Sequence, residues 1–307
     1  MTDTKFHIIG IIKGTMYYSG VHMIRYFLFF IFILFSFSGR ANFDTECFHK
    51  NQPLRWSYCI SRIEGSTSKE LLYYLHGVGG NEYSWSKNRR IGEEIGSVWM
   101  KDGVSAPIVI AVSFGKEWIL NEKNSNPTSG LMAIFIDQIL PSIEKNLGAL
   151  KIGKKRLLFG ESMGGINSAE LVLKHPELFS RAAIACPVFT DVSPFASDEA
   201  IRDYIKRTNA DPMRVKMLLK LARRFFPDEE SWATASPLDL AKTHLGPESP
   251  ALHISCGDHD EFGVFGGAHL FSQIAEARKV SEVHWQPLKG GHCVIDPEAI
   301  ARFLLAY

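Results

Sequence analysis

Cysteine is scarce in this chain: five in 307 residues, too few for a disulfide scaffold and without the paired spacing of a structural zinc site. Net charge is nearly absent too. Thirty-four basic against 33 acidic side chains leave +1, which offers no electrostatic footprint for nucleic acid. There is no internal repeat, no low-complexity tract and no long run of one charge. Nor is there an uninterrupted apolar stretch of the ~20 residues that span a bilayer. What is present is a content of 46% hydrophobic and 22% charged residues, the balance of one large globular domain.

Residues 26–37 form a twelve-residue apolar run, preceded by Arg25 and followed by Ser38-Gly39-Arg40-Ala41. That length suits the core of a signal peptide better than a membrane span. Met23 makes a natural start, which leaves residues 1–22 as an over-extended gene start. Gly39 and Ala41 place small residues where a signal peptidase inspects them, so cleavage before Asn42 is expected. The rival reading, an uncleaved anchor reaching back through residues 8–12, is interrupted by Lys13, Gly14 and Arg25. Residues 1–41 are therefore expected to be a signal peptide or hydrophobic targeting segment, and residues 42–307 the exported domain, periplasmic or secreted. Losing Lys5, Lys13, Arg25, Arg40 and Asp3 changes 34 basic and 33 acidic residues to 30 and 32, again with no polyanion-binding signature. Export permits disulfides. Cys47 and Cys59 flank the first strand and are one candidate pair; Cys256 and Cys293 are a second; Cys186, in an apolar run, reads as a buried free thiol.

Residues 155–165, Lys-Arg-Leu-Leu-Phe-Gly-Glu-Ser-Met-Gly-Gly, organise the rest. Leu157-Leu158-Phe159 reads as a buried strand, Gly160 to Gly164 follows the pattern Gly-x-Ser-x-Gly, and residues 166–174 read as a helix. Strand, pattern and helix together predict a nucleophile elbow that presents Ser162 at the end of a sheet. Around it, residues 54–63 and 71–75 predict two adjacent antiparallel strands about Glu64-Gly65-Ser66. Residues 108–112, 182–186, 252–256 and 283–288 predict further strands. Residues 84–100, 131–147, 269–277 and 299–305 predict helices, with Pro141 kinking the second. The alternation predicts an α/β fold: a mainly parallel sheet with helices on both faces. Residues 113–130 predict a polar loop over the active-site end. The pattern lapses after Val188, and helices predicted over 198–208 and 212–226 imply a helical insertion over the active site at about 189–249. The second helix carries Met213, Met217, Leu218, Leu221 and Phe225; its Arg and Lys residues read as a solvated face.

Acyl chemistry at a serine needs an imidazole to take its proton and a carboxylate to fix the imidazole tautomer. In chain order Ser162, the Asp258/Asp260 loop and His292 each follow a predicted strand, the order this architecture demands. Asp260 is the preferred acid, since it stands far enough past the strand to turn toward the next loop; Asp258 reads as a turn cap. Glu261 reads as a surface residue, and His253 and His259 as structural. The loop His76-Gly77-Val78-Gly79-Gly80 leaves an earlier strand. Glu82 stands where a dinucleotide fingerprint needs its third Gly, and no Gly-Lys-Ser/Thr follows for a phosphate loop. It suits an oxyanion site, with the backbone N–H groups of Val78 and Met163 as donors and His76 as a brace.

These residues resemble the esterase D branch of the α/β-hydrolases, which includes S-formylglutathione hydrolases, feruloyl esterases and mycolyltransferases. The resemblance is carried by residues 75–80, 160–165, 175–179, 257–262 and 291–292, and spans about residues 54–307. It implies an α/β-hydrolase fold, Ser162, Asp260 and His292 as a triad, and Val78 and Met163 at the oxyanion site. The expected function is an exported serine esterase acting on a small-molecule ester through an acyl-enzyme. No cofactor, metal or nucleic acid is called for, and membrane contact only through the N-terminal segment if it is retained. An acyltransferase with the same triad is the alternative, with a binding protein on a hydrolase scaffold behind it.

Overall fold

The structure, a computed structural model, describes residues 41–88, 91–121, 130–147 and 156–306. The expected targeting segment lies outside them, as do Asn124 and Asn126 of the polar loop. Among the described residues the strands are β1 (Phe43–Lys50), β2 (Trp56–Ile63), β3 (Leu71–Leu75), β4 (Ile108–Ser113), β5 (Arg156–Glu161), β6 (Phe179–Ala185), β7 (Ala251–Gly257) and β8 (Val283–Leu288). They form one sheet in the order β1-β2-β4-β3-β5-β6-β7-β8. β2 runs against both its neighbours, and β4 through β8 are parallel. The expectation that the strands at 54–63 and 71–75 are neighbours is therefore corrected: β4 lies between them. β1, which escaped the sequence reading, is the strand that pairs β2 in antiparallel register.

The helices are α1 (Ile91–Lys101), α2 (Leu131–Ile134), α3 (Leu140–Asn146), α4 (Met163–Lys174), α5 (Asp198–Thr208), α6 (Pro212–Phe225), α7 (Glu229–Ala235), α8 (Pro237–His244), α9 (Phe265–Ala277) and α10 (Pro297–Leu305). Strand side chains alternate between two cores, as a period of two requires. Leu72, Tyr74, Leu157, Phe159, Ala183 and Ala185 face one core, shared with α1 and α10. Leu71, Tyr73, Leu75, Leu158, Ala182 and Ile184 face the other, shared with α2, α3, α4, α8 and α9. The Trp99 indole of α1 donates to the Ala301 carbonyl of α10 (3.0 Å) and locks the first layer. Two predicted helices begin or pass through a wider turn: Ser84–Asn88 precedes α1, and Phe135–Ile139 joins α2 to α3. The second has a cause in Pro141, which has no N–H for the preceding turn, so the chain widens to five residues per bond before it. Among the described residues no helix is long and apolar enough to cross a membrane.

Candidate active site

Ser162 occupies a backbone conformation that side chains avoid, φ 55° and ψ −113°. Such a residue costs ~1–3 kcal/mol unless its surroundings impose it. They do so here through two glycines and one hydrogen bond. A Cβ on Gly164 would lie 1.9 Å from the Leu75 carbonyl oxygen, and one on Gly160 would lie 2.1 Å from that of Gly164. The Ser162 N–H donates to the Ala185 carbonyl of β6 (3.0 Å). β3 and β6 therefore hold the turn from both sides, and α4 starts at once beneath the serine.

The structure brings Ser162, His292 and Asp260 together. Ser162 Oγ lies 2.9 Å from His292 Nε2, and His292 Nδ1 lies 2.6 Å from Asp260 Oδ2. A carboxylate only accepts, so Nδ1 carries the hydrogen and Nε2 is left to accept from the serine hydroxyl. The Asp260 side chain is wholly buried. Its Oδ1 accepts from the Phe262 N–H (2.8 Å), and the Cys256 thiol approaches Oδ2, the oxygen bound to His292, at 3.9 Å. Burial, reinforced by the Asp260 charge, pushes that thiol well above its ordinary range, so it stays protonated. The Phe262 ring stands edge-on to the imidazole, 4.6 Å between centroids.

Asp258 faces away and serves the turn: it accepts from the Gly290 N–H (3.1 Å) and from His259. Glu261 is more than the surface residue expected. It is exposed, yet its carboxylate accepts the backbone N–H of His292 at 2.7 Å, which holds its own pKa below the ordinary glutamate value. A Cβ at Gly291 would lie 2.4 Å from that carboxylate, so a side chain there would make the Glu261 carboxylate shift from this position. Adjacent acids thus grip one histidine, Asp260 by the ring and Glu261 by the backbone. Their adjacency in sequence does not name the partner of Glu261, which lies 31 residues away.

Val78 and Met163 line the cavity beside Ser162, Val78 being 44% exposed. His76 braces the Val78 loop: it is buried, and its ring nitrogens contact the Gly77 carbonyl (2.7 Å) and the Ser113 hydroxyl (2.9 Å). The loop expected to be polar turns inward over residues 118–121. Trp118 packs edge-on to His76, and Asn167 of α4 binds the Trp118 carbonyl and the Leu120 N–H.

Above Ser162 opens a cavity of about 690 Å³, whose apolar wall includes Ile119, Val188, Leu218, Leu221, Phe226 and Trp232. Most of that wall comes from the helices between β6 and β7. They are well begun: Ser197, Asp211, Asp228 and Ser236 each cap a helix by accepting N–H groups of its first turn. Of the α6 apolar residues, Val215, Leu219 and Phe225 are buried, while Met213 and Met217 stay exposed. The insertion docks on the acid loop, where Tyr204 donates to the Phe262 carbonyl (2.9 Å) and Asp211 N–H to that of Glu261 (2.9 Å).

Cys47 bonds Cys59 across β1 and β2, where they are register partners. The second expected pair is corrected. Cys293 bonds Cys186, and Cys256 is the buried free thiol. The reason is the side of the sheet: Cys186 and Cys293 lie with the α1/α10 core, whereas Cys256 lies with the other. Among the described residues, Cys186, His292 and Cys293 have potential metal-ligating atoms within 4.8 Å, but both sulfurs are spent in the disulfide.

A family model described as "Putative esterase" matches residues 61–292. The chain belongs to this esterase family. Over 111 residues the esterase is 27% identical to an endo-1,4-beta-xylanase/feruloyl esterase of Xylanibacter ruminicola, a match covering 36% of this chain and 15% of that longer protein. The esterase is also similar to the solved structure of a ferulic acid esterase, with TM-score 0.59 and 17% identity over 86% of this chain and 96% of that one. A fungal esterase from Rhizomucor miehei aligns with TM-score 0.63 and 15% identity, over 89% and 84% of the two chains. At these identities the structural likeness is one of fold, the α/β-hydrolase fold.

Proposed function

We propose that this esterase is an exported serine hydrolase that cleaves carboxylic esters through an acyl-enzyme on Ser162. The observation that carries the proposal is the relay from the Ser162 hydroxyl through His292 to the buried Asp260. As an ester carbonyl meets Ser162 Oγ, His292 Nε2 takes the hydroxyl proton and Asp260 stabilises the imidazolium. The tetrahedral oxyanion is received by the N–H groups of Met163, at the start of α4, and Val78. His292 then protonates the departing alcohol oxygen. Water enters by the same route in reverse, His292 removing its proton, and releases the acid.

The apolar cavity supports an ester with a bulky apolar or aromatic group, and the feruloyl and ferulic acid esterases among the similar proteins agree with an aromatic acyl part. Export is supported by the apolar run at residues 26–37 and by the disulfides, which persist in oxidising compartments. Turnover of p-nitrophenyl esters and labelling by a fluorophosphonate test the reading. Ser162→Ala is expected to lose all labelling and roughly 10⁴- to 10⁶-fold in kcat, as removal of such a nucleophile does. Retained turnover in that variant would remove Ser162 from the chemistry. Product analysis with added alcohols separates hydrolysis from acyl transfer.

A further inference from the structure

We propose that the Cys186–Cys293 disulfide is a positioning device for the general base, so that the activity depends on the redox state of this one bond. The proposal rests on the triad reading above. Cys293 directly follows His292, and Cys186 directly follows Ala185, whose carbonyl anchors the Ser162 N–H. The bridge therefore joins the loop bearing the base to the strand end that holds the nucleophile, with 5.0 Å between the two Cα atoms. Besides the Ser162–His292 bond itself (2.9 Å) and the Gln286–Asp296 bond at the end of the loop (2.8 Å), the side-chain tethers of the base loop come from the acid side. Asp258 binds Gly290 N–H, Glu261 binds His292 N–H, Asp260 binds the imidazole, and the Asp258 and His259 N–H groups bind the Leu288 and Gly290 carbonyls. Those bonds fix histidine to acid but not histidine to serine. Both cysteines also hold left-handed backbone, φ 43° at Cys186 and φ 57° at Cys293, a region that favours glycine. A cross-link maintains both in place.

A dithiol such as dithiothreitol opens the bridge: the Cys186–Cys293 S–S bond breaks, two thiols form, and the reagent closes to its own disulfide. The base loop then stays hinged on the acid loop while its distance to Ser162 is released. Misplacement of a reacting group by ~1 Å costs on the order of 100-fold in rate. The loss should fall on kcat rather than KM, because Cys186 lies outside the cavity lining and Cys293 is the bridge's single contribution to it.

The test uses the full chain with a p-nitrophenyl ester and a fluorophosphonate. Cys186→Ser/Cys293→Ser is expected to lower kcat and labelling rate about 10- to 100-fold with KM within about twofold. A Cys47→Ser/Cys59→Ser control, whose bridge lies on the far edge of the sheet, keeps full kcat until a dithiol is added and regains it on reoxidation. Unchanged kcat in a folded Cys186→Ser/Cys293→Ser enzyme overturns the proposal, and so does an equal loss in the oxidised control. Should the double variant fail to fold, reduction of the Cys47→Ser/Cys59→Ser enzyme below its melting temperature decides alone: full kcat with titratable Cys186 and Cys293 thiols overturns it. Failure of the triad reading is distinguishable, since it appears as turnover in Ser162→Ala whatever the redox state.

Discussion

At Glu261 a charge and a glycine cooperate. The carboxylate accepts the His292 N–H at 2.7 Å, and Gly291, with no side chain, leaves it room to do so. Charged acceptors contribute about 1.5–3 kcal/mol to such a bond, less where solvent screens them as here. Glu261→Ala is therefore expected to lower kcat about tenfold, roughly 1.4 kcal/mol of barrier, with little change in KM. Glu261→Gln, which still accepts, should recover most of the loss. Steady-state kinetics of the two variants check this, and equal rates for Glu261→Ala and wild type would reduce Glu261 to a surface residue. Asp260 and His292 were legible one residue at a time, because each follows a strand and each chemical role admits few side chains. Glu261 was not legible in this way, since a backbone N–H partner leaves no mark in the sequence.

The element that walls the cavity above Ser162 is the insertion between β6 and β7. Its caps and helix lengths are local properties, and the sequence reading located α5 and α6 to within a residue. Which face of α6 would be buried was not local. Met213 and Met217 looked like the same apolar stripe as Phe225, yet they remain exposed: α6 turns Val215 and Leu219 into a small core with Tyr204, Val192 and Ala210 of the insertion, and only Phe225 into the main core. The cavity wall is completed by Phe226 and Trp232, whose rings meet edge to face at 5.2 Å. Removing such a ring forfeits about 1–3 kcal/mol of binding for a group that fills the pocket. Trp232→Ala is expected to raise KM roughly tenfold for aryl or long-chain esters while leaving p-nitrophenyl acetate nearly unaffected. A uniform effect across acyl lengths, read from kcat/KM over an ester series, would place Trp232 outside the acyl site.

At the scale of the whole molecule, one buried histidine links stability to pH. His253 on β7 is buried against Phe303, and desolvation lowers its pKa from 6.5 to about 4. The unfolded chain takes up a proton at that site between pH 6.5 and 4 while the folded chain does not. Stability from this group is thus fully present above 6.5 and is lost as pH falls through that window, in total about 3 kcal/mol. His253→Leu should flatten the decline in melting temperature over the same range, measured by calorimetry or circular dichroism. An unaltered pH profile in that variant would assign the acid loss to other groups.

The amino-acid order alone specifies the strand-and-helix alternation, the sharp turn at Ser162 and the order in which Ser162, Asp260 and His292 emerge from their strands. All of these are written in short stretches, in apolar periodicity and in the few residues that fit a strained turn. Contacts between distant segments put β4 between β2 and β3, bond Cys186 rather than Cys256 to Cys293, and bring Glu261 to the His292 N–H. Strand order, the face of a sheet that a cysteine occupies and the partner of a backbone N–H arise between segments far apart in the chain. Packing of the two cores settles them, and no local pattern encodes it.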